Sequence, residues 1–199
     1  MKDMAVKKYK VLALFGKSGA GKDTIQNWLV SEYPQALHKI ISYTTRPKRD
    51  YEVEGRDYYY IDINEFTNRL LSHDLLEAVV FNNWGYGTSI QSLKEDKINV
   101  GVFNPEGIRT LMDDPRIDVM PIYIDCKDKS RLLRALSREG NVDCHELCRR
   151  FFADEKDFSD LEFGYLTYRN ENEDAYNWWD FLTFDFTLYQ WITDLVEIG

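Results

Sequence analysis

A chain of 199 residues, 44% of them hydrophobic, is long enough to bury a sizeable core in one domain. Its formal net charge of −9 excludes general affinity for nucleic acid, and the lack of any apolar run of about 18 residues predicts no membrane-spanning helix. Three cysteines, Cys126, Cys144 and Cys148, build no even disulfide framework and predict a reducing, cytoplasmic compartment.

Val11 to Phe15 is an unbroken apolar run of strand length, the pattern of a central parallel strand buried on both faces. Gly16, Gly19 and Gly21 follow at once, and Ile25, Trp28 and Leu29 then recur at helical spacing. The glycines therefore sit at a strand-to-helix turn. Gly16, Lys17, Ser18, Gly19, Ala20, Gly21 and Lys22 read as a phosphate-cradling loop, in which residues without Cβ let backbone N–H groups converge on an anion at a helix N-terminus. Lys22 is expected to reach the outer phosphates. A hydroxyl that helps hold Mg²⁺ usually follows that lysine; here Asp23 does, with Thr24 one later, so either side chain could supply the oxygen.

The first helix is expected to end near Tyr33-Pro34. Lys39 to Tyr43 reads as a strand delivering Ser42, Thr44, Thr45, Arg46, Lys48 and Arg49, basic groups beside small hydroxyls that predict an anion pocket in an acidic protein. Leu70, Leu71, Leu75 and Leu76 suggest a helix that would carry Glu77 on its surface. Ile90 to Asp96 reads as a short helix, Ile98 to Phe103 and Val119 to Asp125 as core strands, and Lys127 to Glu139 as a helix with Leu132, Leu133 and Leu136 on its apolar side. Arg131, Arg134, Arg138, Arg149 and Arg150 crowd this region, and Asp143 caps the next helix. Pairing of these arginines with Glu139, Asp154 and Glu155 on helix surfaces is one reading. Cys144, His145 and Cys148 share one helical turn, but with no second cluster to complete a zinc site they count as ordinary helix residues. Asp180 to Thr187 reads as a last strand, and Leu188, Trp191, Ile192 and Leu195 as a closing amphipathic helix.

Several motifs in order carry a resemblance: Ser42 to Arg49 (SYTTRPKR), Glu54 to Tyr59 (EGRDYY), Leu76-Glu77 and Gly85 to Ser89 (GYGTS), together with the glycine loop. In these the chain resembles the guanylate kinases from about residue 9 to 150. The resemblance implies an α/β fold, a mostly parallel sheet of the P-loop NTPase kind flanked by helices, in a single domain over 1–199. The core would be 1–38, 91–137 and 155–199, a monophosphate-binding insertion would span 39–90, and an arginine-bearing lid 138–154. It further implies transfer of the terminal phosphoryl group of ATP to GMP or dGMP with Mg²⁺ as cofactor.

Carried over residue by residue, Ser42, Arg46, Arg49, Tyr58 and Tyr86 match the positions that grip the acceptor phosphate. Glu77 and Thr88 match those that read guanine. Arg138 and either Arg149 or Arg150, with Arg150 preferred, match the lid arginines over ATP. The catalytic set is then Lys22, Arg46, Arg138 and Arg150. The family's paired aspartates at a later strand end are replaced by Val102 and Asn104, and Asn104 retains hydrogen-bonding capacity. Two alternatives stay open. Ribose 1,5-bisphosphate phosphokinases resemble this family and share Gly-Lys-Asp in the loop, and guanylate-kinase-like scaffold modules bind phosphopeptides without catalysis. The expected partners are small-molecule nucleotides, with neither nucleic acid nor membrane, for a monomer or homodimer.

Overall fold

Val11, Leu12, Ala13, Leu14 and Phe15 have no exposed surface, because β1 (Tyr9–Phe15) runs between two parallel strands and beneath helices on both faces. The structure is a computed structural model and describes residues 8–50, 52–81, 83–138, 143–170, 190 and 193. On one side of β1 lies β7 (Ile98–Val102), followed by β2 (Leu37–Lys39). On the other lies β8 (Ile117–Asp125), followed by β9 (Leu166–Arg169). All four pairings are parallel. The carboxyl ends of the strands therefore share one rim, where ligands bind in open sheets of this type.

The pleat divides β1 between two cores. Leu12 and Leu14 pack with Ile25 and Leu29 of α1 (Lys22–Glu32), while Val11, Ala13 and Phe15 pack with Ile108 and Leu111 of α3 (Pro105–Asp113). Each of the larger side chains here, Val, Leu, Ile or Phe, once fully buried contributes about 1.5–3 kcal/mol. Central placement of the first strand and termination of α1 before Pro34 follow the sequence reading.

A second sheet, with strand order β4-β3-β6-β5, is built from β3 (Tyr43–Thr44), β4 (Tyr59–Tyr60), β5 (Leu75–Phe81) and β6 (Trp84–Ser89). Helix α2 (Ile63–Leu71) starts at Asp62, whose side chain accepts from Glu65 N–H at 2.8 Å, and turns Phe66 inward.

The structure corrects several sequence expectations. The Lys39–Tyr43 strand is two strands in different sheets, because Ile40 N–H donates to Val100 O at 2.8 Å in the first sheet before the chain crosses to the second. The four leucines do not share a helix. A turn through His73, in the left-handed region at φ 55°, separates α2 from β5, where pairing with β6 overrides the helical spacing. Glu77 is therefore a buried strand residue. Ile90 to Asp96 forms only one 3₁₀ turn, Ile90–Ser92.

In α4 (Asp128–Arg138), Leu132, Leu133 and Leu136 are exposed, whereas Arg131 has no exposed surface. Asp143 caps α5 (Cys144–Asp157) as expected, accepting from His145 and Glu146 N–H at 3.0 and 3.2 Å. Strand β9 was not foreseen, since Leu166 to Arg169 alternates half-buried and exposed residues within an acidic stretch. The expected strand at Asp180–Thr187 and the closing helix at Leu188, Trp191, Ile192 and Leu195 lie outside the described residues. Among the described residues no helix is long and apolar enough to cross a membrane.

Candidate functional site

The chain leaves β1 through a loop that only glycine permits at two points. Gly19 has φ 79°, and a Cβ there would lie 2.8 Å from Arg131 O; at Gly16, φ 149°, a Cβ would lie 2.6 Å from Ile124 O. Both neighbours are backbone and cannot swing aside. Gly19→Ala is accordingly expected to destabilise the fold by about 1–3 kcal/mol, read as a lowered denaturant midpoint. A midpoint equal to that of the unaltered chain would contradict the loop geometry.

Within the loop, Lys22 Nζ donates to Gly16 O at 2.7 Å and Lys17 O at 3.1 Å, which holds the ammonium at the loop mouth. Ala20 N–H closes a turn on Lys17 O at 3.2 Å, and Ala20 O accepts from Asn170 Nδ2 at 2.7 Å. Gly21, at φ 95°, precedes the first residue of α1. Ser18 is engaged on every side. Its N–H donates to Asp154 Oδ2 at 2.8 Å, its hydroxyl to Asp154 Oδ1 at 3.1 Å, and its carbonyl accepts from Arg131 Nε at 2.8 Å. The sequence reading assigned Ser18 to a nucleotide and foresaw neither partner in this role, because a buried arginine on an apparently amphipathic helix gives no periodic signal.

Two cavities open at the sheet rim. A polar one of about 440 Å³ is lined by Asp23 and Thr24 of α1 together with Ser42, Arg46, Arg49, Tyr58 and Tyr86. The other, about 240 Å³, is lined by Gly16, Ser18 and Lys22 and by Glu77, Asn104 and Asp154. Ser42, Tyr58, Tyr86 and Val102 belong to both, so the cavities adjoin. The structure thus brings together most of the residues expected from the sequence.

Arg46 is oriented before any ligand arrives. Its Nη2 pairs with Glu52 Oε1 at 2.7 Å, its Nη1 donates to Pro47 O at 2.8 Å, and its guanidinium lies 5.6 and 5.8 Å from the rings of Tyr58 and Tyr60. Burial alone would lower the Arg46 pKa, but the Glu52 carboxylate outweighs it and the guanidinium stays charged. Burial likewise favours a neutral Glu52, yet Arg46 and the Arg49 N–H, at 2.8 Å, hold its carboxyl below the usual range. Glu52 stood in the sequence as one charge among many. Its role depends on a turn that only the fold displays.

Glu77 is buried on β5 opposite Thr88 of β6. Burial pushes its carboxyl up to about 7, the Glu106 charge adds to this, and hydrogen bonding from Thr88 opposes it. Thr88 has no exposed surface and lies behind the cavity wall, its Oγ1 2.9 Å from Ser42 Oγ. Asn104 caps α3, its Oδ1 accepting from Gly107 N–H at 2.7 Å. Burial raises the Tyr58 hydroxyl pKa, with the Asp23 charge adding to the effect.

Arg149 and Arg150 do not line either cavity. Both pair with Glu146, at 2.7 and 2.8 Å, and the Arg149 hydrogen bond first, then that of Arg150, holds the Glu146 carboxyl at about 2 despite burial. The Arg138 side chain lies outside the described residues. Cys144 and Cys148 are exposed on α5, and among the described residues no group of three or more His, Cys, Asp or Glu could hold a metal ion. Asp23 and Thr24, exposed in the first turn of α1, supply hard oxygen donors. That suits an ion such as Mg²⁺, which takes most of its ligands from phosphate and water.

Comparison with known proteins agrees with this architecture. The family model described as guanylate kinase matches residues 8–180. The guanylate kinase of Chlamydia felis is 35% identical over 136 residues, 66% of each chain. Disks large homolog 1 of Danio rerio is 45% identical over 78 residues, 39% of this chain and 9% of that protein. The chain therefore spans just under two thirds of the length of the chlamydial relative and less than a tenth of the disks large one. A crystal structure of guanylate kinase from Anaplasma phagocytophilum superposes with a TM-score of 0.57 at 20% identity, over 98% of this chain and 87% of that one, and shares the fold. With a glycine loop, an arginine-bearing second sheet and a family match over most of its length, the chain belongs to the guanylate kinase family.

Proposed function

We propose that the protein transfers the γ-phosphoryl group of ATP to the phosphate of GMP or dGMP. What carries the reading is that the loop bearing Lys22 and the cradle bearing Arg46 and Arg49 open into adjoining cavities with shared walls. In this mechanism an oxygen of the acceptor phosphate attacks the γ-phosphorus as the bond to the β-phosphate oxygen breaks and ADP leaves. Arg46 and Arg49 hold the acceptor phosphate, Arg46 through a guanidinium that Glu52 has already oriented. Such preorganisation spares the reaction reorganisation at the moment of transfer.

Lys22 neutralises charge on the transferring group; Arg138 and Arg150, the lid arginines implied by the family, would join it, Arg150 only after leaving Glu146. Thr24 or Asp23 would hold Mg²⁺, which would supply positive charge to neutralise the phosphates. Glu77 accepts from guanine N1–H and the 2-amino group, while Thr88 supports Ser42 from behind. Residues 39–90 form the acceptor-binding insertion of a single domain.

Two specific features favour rivals. Asp23, shared with the ribose 1,5-bisphosphate kinases, lines the acceptor cavity, and the likeness to disks large homolog 1, a protein not named as a kinase, favours the non-catalytic binding module. A coupled assay with GMP, dGMP and ribose 1,5-bisphosphate as acceptors separates these readings. Turnover with the guanine nucleotides is expected. Turnover with the sugar phosphate alone, or none together with no calorimetric binding of MgATP, would contradict the proposal.

A further inference from the structure

Among the described residues Arg131 is the largest side chain without exposed surface, and every nitrogen of its guanidinium is used. Nε donates to Ser18 O at 2.8 Å, Nη1 pairs with Asp128 at 2.5 Å, and Nη2 pairs with Asp154 at 2.5 Å, beneath the ring of Phe151 at 4.3 Å. Asp154, 6% exposed, completes the circuit by accepting from the N–H and hydroxyl of Ser18. One ion pair, contributed by α4 and α5, thus grips both peptide groups of a single loop residue. The adjacent Lys17 pairs with Glu155, so two successive loop residues are tied to α5.

A buried ion pair adds little to stability when a fitted apolar pair could replace it, because desolvation offsets the attraction. Its distinguishing property is direction. Here the direction is set on the loop that shapes the Lys22 cavity, and Asp154 itself lines that cavity.

We propose that Arg131 and Asp154 are positioning residues of the donor-phosphate site, holding the Ser18 peptide so that the loop keeps its anion-binding shape and α5 moves with it. The inference rests on the kinase reading for its kinetic consequence, though not for its geometry. Ser18 gives up its own N–H to the clamp, so the loop binds phosphate through the residues that follow it. The Asp154 carboxylate is then a permanent part of the loop rather than a plug displaced by nucleotide.

The test compares the full-length protein with its Asp154→Asn and Arg131→Lys variants in steady-state kinetics and in ¹⁵N-resolved amide hydrogen exchange. Removing one charge-assisted acceptor should raise KM for MgATP about ten-fold in Asp154→Asn. KM for GMP should stay within about two-fold, since Arg46 and Arg49 lie on other elements and Glu77, though it lines the same cavity as Asp154, sits on β5 and takes no part in the clamp. Arg131→Lys, which keeps the charge but not the planar fork, should raise KM for MgATP less than Asp154→Asn does. Exchange of the Ser18 amide should quicken in Asp154→Asn, whatever the reaction. Equal changes in both KM values would mark a general structural role and overturn the proposal, as would a lower KM for MgATP, which would show the carboxylate competing with phosphate. An unaltered protein that transfers nothing to GMP would defeat the kinase reading alone. Ser18 exchange would then decide the clamp, acceleration supporting it and no change overturning it.

Discussion

Lys22→Ala is expected to lower phosphoryl transfer by about 10³-fold, the cost of deleting a preorganised positive group aimed at developing charge. The ammonium does two things at once. It ties Gly16 O and Lys17 O together across the loop mouth, and it is the charged group of the glycine loop that faces the second cavity. Alanine removes both, while the acceptor cradle rests on the Arg46–Glu52 pair in the second-sheet region. GMP binding by calorimetry should therefore remain within about two-fold while turnover collapses, a loss confined to the transition state. Retention of a tenth or more of the activity would remove Lys22 from the chemistry.

The second large effect concerns the base. Glu77→Gln should cut discrimination of GMP over AMP by about 10²-fold or more, because an amide can present N–H where guanine also presents N–H, and buried donors facing each other go unsatisfied. The unaltered site carries a pH signature with a definite sign. Its carboxyl is held neutral up to about 7, and only the ionised form accepts from both guanine donors. Affinity for GMP should thus weaken as pH falls through that value, by about ten-fold between pH 8 and pH 6. The base-dependent part of that slope should vanish in Glu77→Gln when guanosine, which lacks a titrating phosphate, replaces GMP as ligand. A slope for guanosine that persists in the variant would assign the titration, and the base contact, elsewhere.

The parts of this site legible in the sequence were those whose chemistry is written locally. A glycine loop between an apolar strand and a helix needs no tertiary information, and neither does a cluster of arginines beside hydroxyls. The parts that escaped depend on partners distant along the chain. Arg131 reaches Ser18 across 113 positions and Asp154 across 23, and its helix displays leucines where a periodic reading looks for the buried face. Leucines at 70, 71, 75 and 76 mimic helical spacing and would carry Glu77 on a helix surface, whereas strand pairing with β6 places it on β5. Glu52 became visible only when the turn from Arg46 to Glu52 closed. In each case long-range pairing chose between local patterns of similar strength.

The central claim is that donor and acceptor phosphates occupy adjoining cavities one phosphoryl group apart. Calorimetric titration with a bisubstrate ligand, adenosine and guanosine joined through five phosphates, tests it most directly. The account predicts one ligand per chain, bound at least about ten-fold more tightly than ATP or GMP alone, since joining the two halves makes the second contact intramolecular. An affinity no better than that of the stronger single nucleotide would contradict it.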